Sequence, residues 1–341
     1  MSNVEIIPTL RYFKNFDNCY EIVKNYATLH INRIRFNLVN NDIHDYHDFF
    51  SKLYETYYTA IHSIPNILLD IPYPCYKNRI YQDHTQAQYI KENDIIILTT
   101  EYDTNDRHTF IVDANLPLAS IKNNSTIIIG DGELLLTVIQ TNHNTLTARA
   151  LNSSELRGPR SVIFSQHAYQ ENSNKSMFNA ICGLIRNYNI KNICLSLVEN
   201  HQQVQIIKKE INEHNIYDFH LIPKIETPKS VKGLSSILKS CTEIIIGRGD
   251  LGLLTDYIHL TDTIDFISEL CCKEQVKVII ATDVLQSLTT RSIPSRADIV
   301  DLNYLAKKRA NGVILTSNLS IHRSFTNAVE IINKMFDTYS I

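Results

Sequence analysis

Two apolar runs, "HLIPKIE" (220–226) and "EIIIGRGDLG" (243–252), each finish in charge. Lys224 and Glu226 stand two apart, so on a strand both face the same side. Asp250 closes the next apolar run and Thr282 the one after, in "VKVIIATDV" (276–284). Arg35 and Asn37 occupy the same kind of position in "RIRFNL" (33–38), and Asp70 in "NILLDI" (66–71). Two carboxylates on neighbouring strands with a lysine beside them suit a hard cation such as Mg2+. Such an ion keeps its remaining positions for substrate oxygens. The other chemistry open to this set is a group of salt bridges closing the end of a sheet. Charge at the end of an apolar strand is costly unless something compensates it, and both readings supply that compensation.

The elements that must position these residues follow from the pattern of apolar runs. Eight of them, 4–10, 33–38, 66–71, 192–197, 220–226, 243–249, 276–284 and 312–317, are nearly continuous in hydrophobic residues. That is the mark of parallel strands covered on both faces. Amphipathic segments such as "HQQVQIIKKEINEH" (201–214) and "VDLNYLAKKRA" (300–310) lie between them. The alternation predicts an α/β fold, a (β/α)8 TIM barrel whose strand ends converge on one mouth. Between the third and fourth strands the gap is too long for a loop, and it reads as β: 94–100, 108–114 and 125–151. A small all-β, barrel-like lid domain over 72–162 is expected there, between barrel strand 3 and helix 3, with the barrel formed by 1–71 and 163–341.

The 341 residues, 44% hydrophobic with a net charge of −3, describe an ordinary globular chain. Near-neutral charge without a basic stripe argues against nucleic acid as a partner. The start, "MSNVEIIPTLRYF", has no basic stretch followed by an apolar one, and no apolar run reaches the length of a membrane span. A cytoplasmic protein with no membrane partner is expected. Seven cysteines, scattered without a C-x-x-C pair, read as reduced core thiols. "HDYH" (44–47) could supply a zinc pair, but no partner ligands accompany it, and the start of a solvated helix explains it better. Ser295 in "SRAD" (295–298) is a candidate helix cap.

"KIET" (224–227), "GRGDLG" (247–252), "ATDVLQSL" (281–288) and "RSIPSRADIVD" (291–301) together resemble the pyruvate kinase family, in order, spacing and strand context. The family's patterns there are K-I-E-N, A-R-G-D-L-G, A-T-Q-M-L and P-T-R-A-E. "RIRFNLVNNDIHDYHDFF" (33–50), "LLDIPYPCYKNR" (68–79) and "GDGELLLTVIQ" (130–140) extend the likeness over nearly the whole chain. No counterpart of the family's carboxyl-terminal regulatory domain is expected. The resemblance implies that Glu226 and Asp250 hold the catalytic Mg2+ (or Mn2+). It implies that Lys224 stabilises charge on the phosphoryl group or an enolate oxygen, and that Thr282 lies near the methyl carbon of pyruvate. Arg35 would contact the phosphoryl group. Backbone N–H groups of Gly247, Arg248 and Gly249 would receive the substrate carboxylate, and Asn37 and Asp70 would line the same site. The helix opening at 295 lies at a subunit contact in the family, so a homodimer is expected.

The departures from the family gather in one half of the site. Its potassium-binding positions read Asn37, Val39, Asp70 and Ile71, so two oxygen ligands are now hydrocarbon and potassium binding is not expected. The T-K-G-P-E-I-R segment has become "IPYPCYK" (71–77), with Lys77 or Arg79 left to replace its arginine. The S-G-E-T loop is "TSNL" (316–319), and Asn40 stands where the family has histidine. What is retained serves the metal and a three-carbon acid, phosphoenolpyruvate or a 2-oxo acid. What is lost serves ADP and ATP. Only 9 glycines in the chain fit that division, because close backbone approach to polyphosphate is where glycine is needed. Three functions follow: a Mg2+-dependent, pyruvate kinase-like phosphotransferase; a metal-dependent C–C lyase or aldolase using a pyruvate enolate; and a non-catalytic metabolite-binding barrel.

Overall fold

The computed structural model describes residues 4–38, 46–81, 87–101, 108–113, 117–164 and 169–339. Val39, Asn40 and His44 lie outside the described residues. The chain divides into two compact units, Met1–Pro74 with Ser173–Ile341, and Cys75–Asn172. The sequence boundaries of 72 and 162 fall a little before both of these edges.

In the first unit eight parallel strands close on themselves: β1 (Glu5–Leu10), β2 (Arg33–Asn37), β3 (Asn66–Tyr81), β4 (Asn192–Ser196), β5 (His220–Ile225), β6 (Glu243–Gly247), β7 (Lys277–Ala281) and β8 (Gly312–Leu315). Each pairs with the next, and β8 pairs with β1 to complete the ring. The helices are α1 (Tyr20–Thr28), α2 (Tyr46–Ile61), α3 (Lys175–Asn187), α4 (His201–Glu213), α5 (Arg248–Leu254), α6 (Leu260–Lys273), α7 (Arg296–Lys307) and α8 (Phe325–Tyr339). Two shorter helical turns, Pro228–Lys232 and Leu234–Ile237, connect β5 to β6, and another, Ser317–Ser320, follows β8. α4 shows why these segments are helical: Val204, Ile207 and Ile211 recur at turn spacing and are buried, and Asn200 caps the amide of Gln203. At α7 Ser295 accepts from the amide of Asp298 at 3.0 Å, as its position in the sequence suggested. Among the described residues no helix is long and apolar enough to cross a membrane.

Strand side chains alternate between two cores. One set, including Ile34, Leu69, Ile71, Ile193, Leu195, Ile225, Ile244, Ile246 and Val313, packs outward against the helices. The other fills the barrel axis: Ile7, Leu68, Cys194, Ile222, Ile245, Ile279 and Ile314, one from each strand except β2. Two residues further along each strand the period of two brings the next inward positions, Thr9, Asp70, Ser196, Lys224, Gly247 and Ala281. The apolar plug therefore becomes the floor of a polar mouth, and β2 adds Arg35 to it.

The second unit is all β. Segments 78–81, 109–113, 95–99, 145–150, 134–141, 126–129 and 160–164 pair in that order, and the last returns to the first. Every pair except 95–99 with 109–113 is antiparallel. Their inner faces share a core of residues such as Ile96, Leu98, Phe110, Leu136, Val138 and Phe164. The unit is inserted between β3 and α3, as the long β-rich gap in the sequence predicted. The short strands 88–90, 154–156, 160–164 and 169–171 were not anticipated, being too brief or too mixed to show a period.

Candidate active site

The floor of the barrel mouth is a charge network centred on Asp70, which is fully buried. Arg35 donates from Nε at 2.9 Å and from Nη2 at 2.6 Å to Asp70 Oδ2, and from Nη1 to Thr9 Oγ1 at 3.0 Å. Lys224 Nζ lies 3.3 Å from Asp70 Oδ1, and Ser196 Oγ donates to the same oxygen at 3.2 Å. Burial by itself would raise the Asp70 pKa, but Lys224 and Arg35 outweigh it and hold the carboxyl below its usual range. Lys224 is the mirror case. Burial works against its charge, yet Asp70 and Glu226 push its pKa up, so it remains an ammonium at any physiological pH.

Glu226 lies one step beyond the end of β5. Its Oε1 is 3.3 Å from Lys224 Nζ, and its Oε2 accepts from the Leu197 amide at 2.9 Å. Leu197 reaches that position in a left-handed conformation, φ 55°. Burial raises the Glu226 pKa, and the charges of Asp250 and Asp70 raise it further against the pull of Lys224 and the Leu197 amide. Two buried acids thus sit within each other's field, an arrangement that a cation relieves.

Asp250 is buried in the first turn of α5, which begins at Arg248 directly after β6. The sequence predicts strand up to residue 249 with Asp250 at its end. The chain instead turns helical two residues earlier, and Gly247 precedes the helix without a side-chain cap. The two glycines of "GRG" each clear space for a neighbouring strand's side chain. A Cβ on Gly247 would lie 2.6 Å from Glu226 Oε1, and one on Gly249 would lie 3.2 Å from Thr282 Cγ2. Thr282 follows β7 with φ 79°, an outlying conformation for a β-branched residue. The Arg248 side chain donates to the Thr282 carbonyl from Nε at 3.2 Å and Nη2 at 2.6 Å, and from Nη1 to Asp301 Oδ1 at 2.6 Å.

Of the residues singled out from the sequence, Arg35, Asp70, Lys224 and Glu226 join one network by direct contact. Asp250 acts on Glu226 through its charge. Gly247, Arg248, Gly249 and Thr282 form the adjoining rim. Asn37 pairs in register with Asp70 and is exposed. Ile71 is buried in the core between strands and helices. Arg79, in the second unit, pairs in register with Asp113, and burial lowers its pKa. Thr9 and Ser196 were missed, although applying the strand-end argument to β1 and β4 would have found them. The Leu197 amide and Asp301 carried no signal, one being backbone and the other on a helix.

Among the described residues no group of three or more His, Cys, Asp or Glu side chains is placed to hold a metal ion. Glu226 and Asp250 offer oxygen donors from two buried carboxylates. Mg2+, which usually takes one or two carboxylates and keeps water or substrate oxygens otherwise, fits that donor set.

A closed β/α barrel carrying acids and a lysine at its mouth, with a β-domain inserted after its third strand, defines the class. Residues 1–320 match the family described as pyruvate kinase, barrel domain, and the chain belongs to that family. It is 24% identical over 318 residues to a pyruvate kinase of Thermotoga maritima, covering 93% of this chain and 67% of the relative. To that of Mycoplasma pneumoniae it is 25% identical over 284 residues, 81% of this chain and 55% of the relative. The chain thus spans between about half and two thirds of these curated relatives. The crystal structure of Cryptosporidium parvum pyruvate kinase superimposes with a TM-score of 0.89 at 21% identity, covering 99% of this chain and 70% of that one. At that identity the likeness speaks to the fold.

Proposed function

We propose that the barrel mouth binds Mg2+ (or Mn2+) through Glu226 and Asp250, together with phosphoenolpyruvate, pyruvate or a related 2-oxo acid, and acts as a pyruvate kinase-like phosphotransferase. The observation that carries this reading is Lys224 Nζ at 3.3 Å from both Asp70 Oδ1 and Glu226 Oε1. A permanent cation is thereby fixed beside the acid pair. When bound, the ion supplies Lewis acidity toward the substrate's oxygens. Lys224 adds a second positive charge on the same side, where an enolate or phosphoryl oxygen gains negative charge. The first amides of α5, which have no intrahelical partners, face the substrate carboxylate. Thr282 stands at the edge of the site nearest Gly249, where the methyl carbon would lie. Arg35, anchored on Asp70 and Thr9, presents its guanidinium to the phosphoryl group.

Asp70 already has Arg35, Lys224 and Ser196 as partners, and Ile71 turns into the core. Protein cations thus take the place of potassium, and rates in potassium and sodium salts should agree within about twofold. At the loop after β8 Thr316 Oγ1 is occupied internally: it donates to Gln286 Oε1 at 2.6 Å and accepts from the Leu319 amide at 3.4 Å. That engagement favours, as a second reading, lyase or aldolase chemistry on a pyruvate enolate with no nucleotide. The helix opening at Ser295, where the family has a subunit contact, is the proposed homodimer contact, and sedimentation velocity would test it.

A coupled assay for pyruvate and ATP, run beside Mg2+-dependent exchange of pyruvate methyl protons without nucleotide, tests the reading. ATP formation supports the kinase, and exchange alone supports the lyase. If both stay silent while Mg2+ and oxalate still bind, the barrel is a binding module. Gly247→Ala adds a structural check: its Cβ would displace the Glu226 carboxylate, so Mn2+ affinity should fall about 100-fold by calorimetry. Unchanged affinity would place the ion away from Glu226.

A further inference from the structure

We infer that Asp301, on α7, acts through Arg248 to hold Thr282 in its left-handed conformation, making Asp301 and the Arg248 side chain positioning residues for the site. The inference rests on the proposed function for what Thr282 does, though not for how Thr282 is held. Three of the four residues after β7 have positive φ without being glycine: Thr282 at 79°, Asp283 at 57° and Leu285 at 52°. Such a run persists only where surrounding contacts over-determine it. From below, Val284, Leu285 and Leu288 are fully buried and tie the loop to the core. From the side, the absence of a Cβ at Gly249 admits the Thr282 side chain.

Arg248 fixes the remaining freedom. Its planar fork places Nε and Nη2 on one carbonyl, that of Thr282, while Nη1 on the same plane is held by Asp301 Oδ1. With its ends pinned on β7's exit and on α7, the guanidinium sets the orientation of the Thr282 peptide. The strut does not work alone. Three residues before Asp301 on the same helix, Asp298 Oδ2 accepts from the amide of Ser287 at 3.1 Å and from its hydroxyl. One acidic face of α7 therefore clasps the β7–α7 loop at two points, at Thr282 through Arg248 and at Ser287 directly. Lysine in place of Arg248 keeps the charge but cannot bridge two acceptors in one plane.

The test compares wild type with Asp301→Ala and Arg248→Lys. Crystal structures of the variants should show Thr282 with negative φ, a readout that needs no activity. If Thr282 stays near φ 79° in both variants, the inference is overturned. In solution, the turnover that the wild type performs should fall about 30-fold or more at saturating substrate. Affinity for Mg2+ with oxalate should stay within about threefold, and Asp301→Glu should recover most of the rate. Parallel loss of binding and turnover would mean a general structural role and would reject the inference. Should Asp301→Ala fail to fold, Arg248→Lys carries the same comparison. A wild type that neither binds Mg2+ with oxalate nor turns over refutes the proposed function, and the variant structures then decide this inference separately.

Discussion

Replacing Lys224 with methionine should lower turnover about a thousandfold while leaving Mg2+ affinity unchanged or raised. The rate falls because a cation held beside developing oxyanion charge is worth several kcal/mol in the transition state. The sign for the metal is opposite. Lys224 Nζ stands 3.3 Å from Glu226 Oε1, where it competes with a divalent ion for that carboxylate. Methionine fills similar space without charge, so the competition ends. Whichever reaction the wild type performs, ATP formation or methyl-proton exchange, provides the rate, and calorimetric titration with Mn2+ provides the affinity. A variant with wild-type turnover removes Lys224 from the chemistry. One that loses metal and rate together shows instead that Lys224 holds the site in shape.

Asp70→Ala is expected to be the most destabilising single change at the barrel mouth, by about 3 kcal/mol. Its carboxylate is fully buried and satisfies Arg35 twice, Lys224 once and the Ser196 hydroxyl. Removing it leaves two cations facing each other without their shared counter-ion. The figure sits at the low end for broken buried pairs, because Arg35 and Lys224 keep 18% and 13% side-chain exposure and part of the charge can be hydrated. The pH dependence carries a matching sign. A carboxyl whose folded pKa is depressed contributes stability that is present above its unfolded value, about 4, and is lost as pH falls through the folded value. Urea unfolding followed from neutral to acid pH should show the gap between wild type and Asp70→Ala closing below about pH 4. A gap constant across that range would mean that Asp70 is not stabilised by its cations.

Lys224, Glu226, Asp70 and Arg35 were legible because strands have a period of two and a closed barrel leaves only its strand ends open. Once the strands are placed, those side chains have few places to go. Asp250 shows the limit. "EIIIGRG" (243–249) reads as strand with Asp250 at its end, whereas the chain turns helical at Arg248, where two glycines pack against neighbouring side chains. The Glu226 carboxylate, just past β5, and the Thr282 methyl, just past β7, lie against those glycines, and no local pattern encodes that contact. The same holds for Leu197, whose left-handed φ brings an amide to Glu226, and for Asp301, which meets Arg248 across 53 residues. In the second unit, 95–99 and 145–150 announced themselves by β-branched and alternating residues, while 154–156 and 169–171 are too short to do so.

The most direct measurement is a crystal of the protein soaked with Mn2+ and oxalate, read by the anomalous signal of the metal. One peak bonded to both Glu226 and Asp250, with oxalate oxygens completing its coordination and Lys224 Nζ beside them, is the predicted result. Well-ordered crystals in which the ion is absent from that pair, or bound elsewhere in the barrel mouth, would contradict the account at its base.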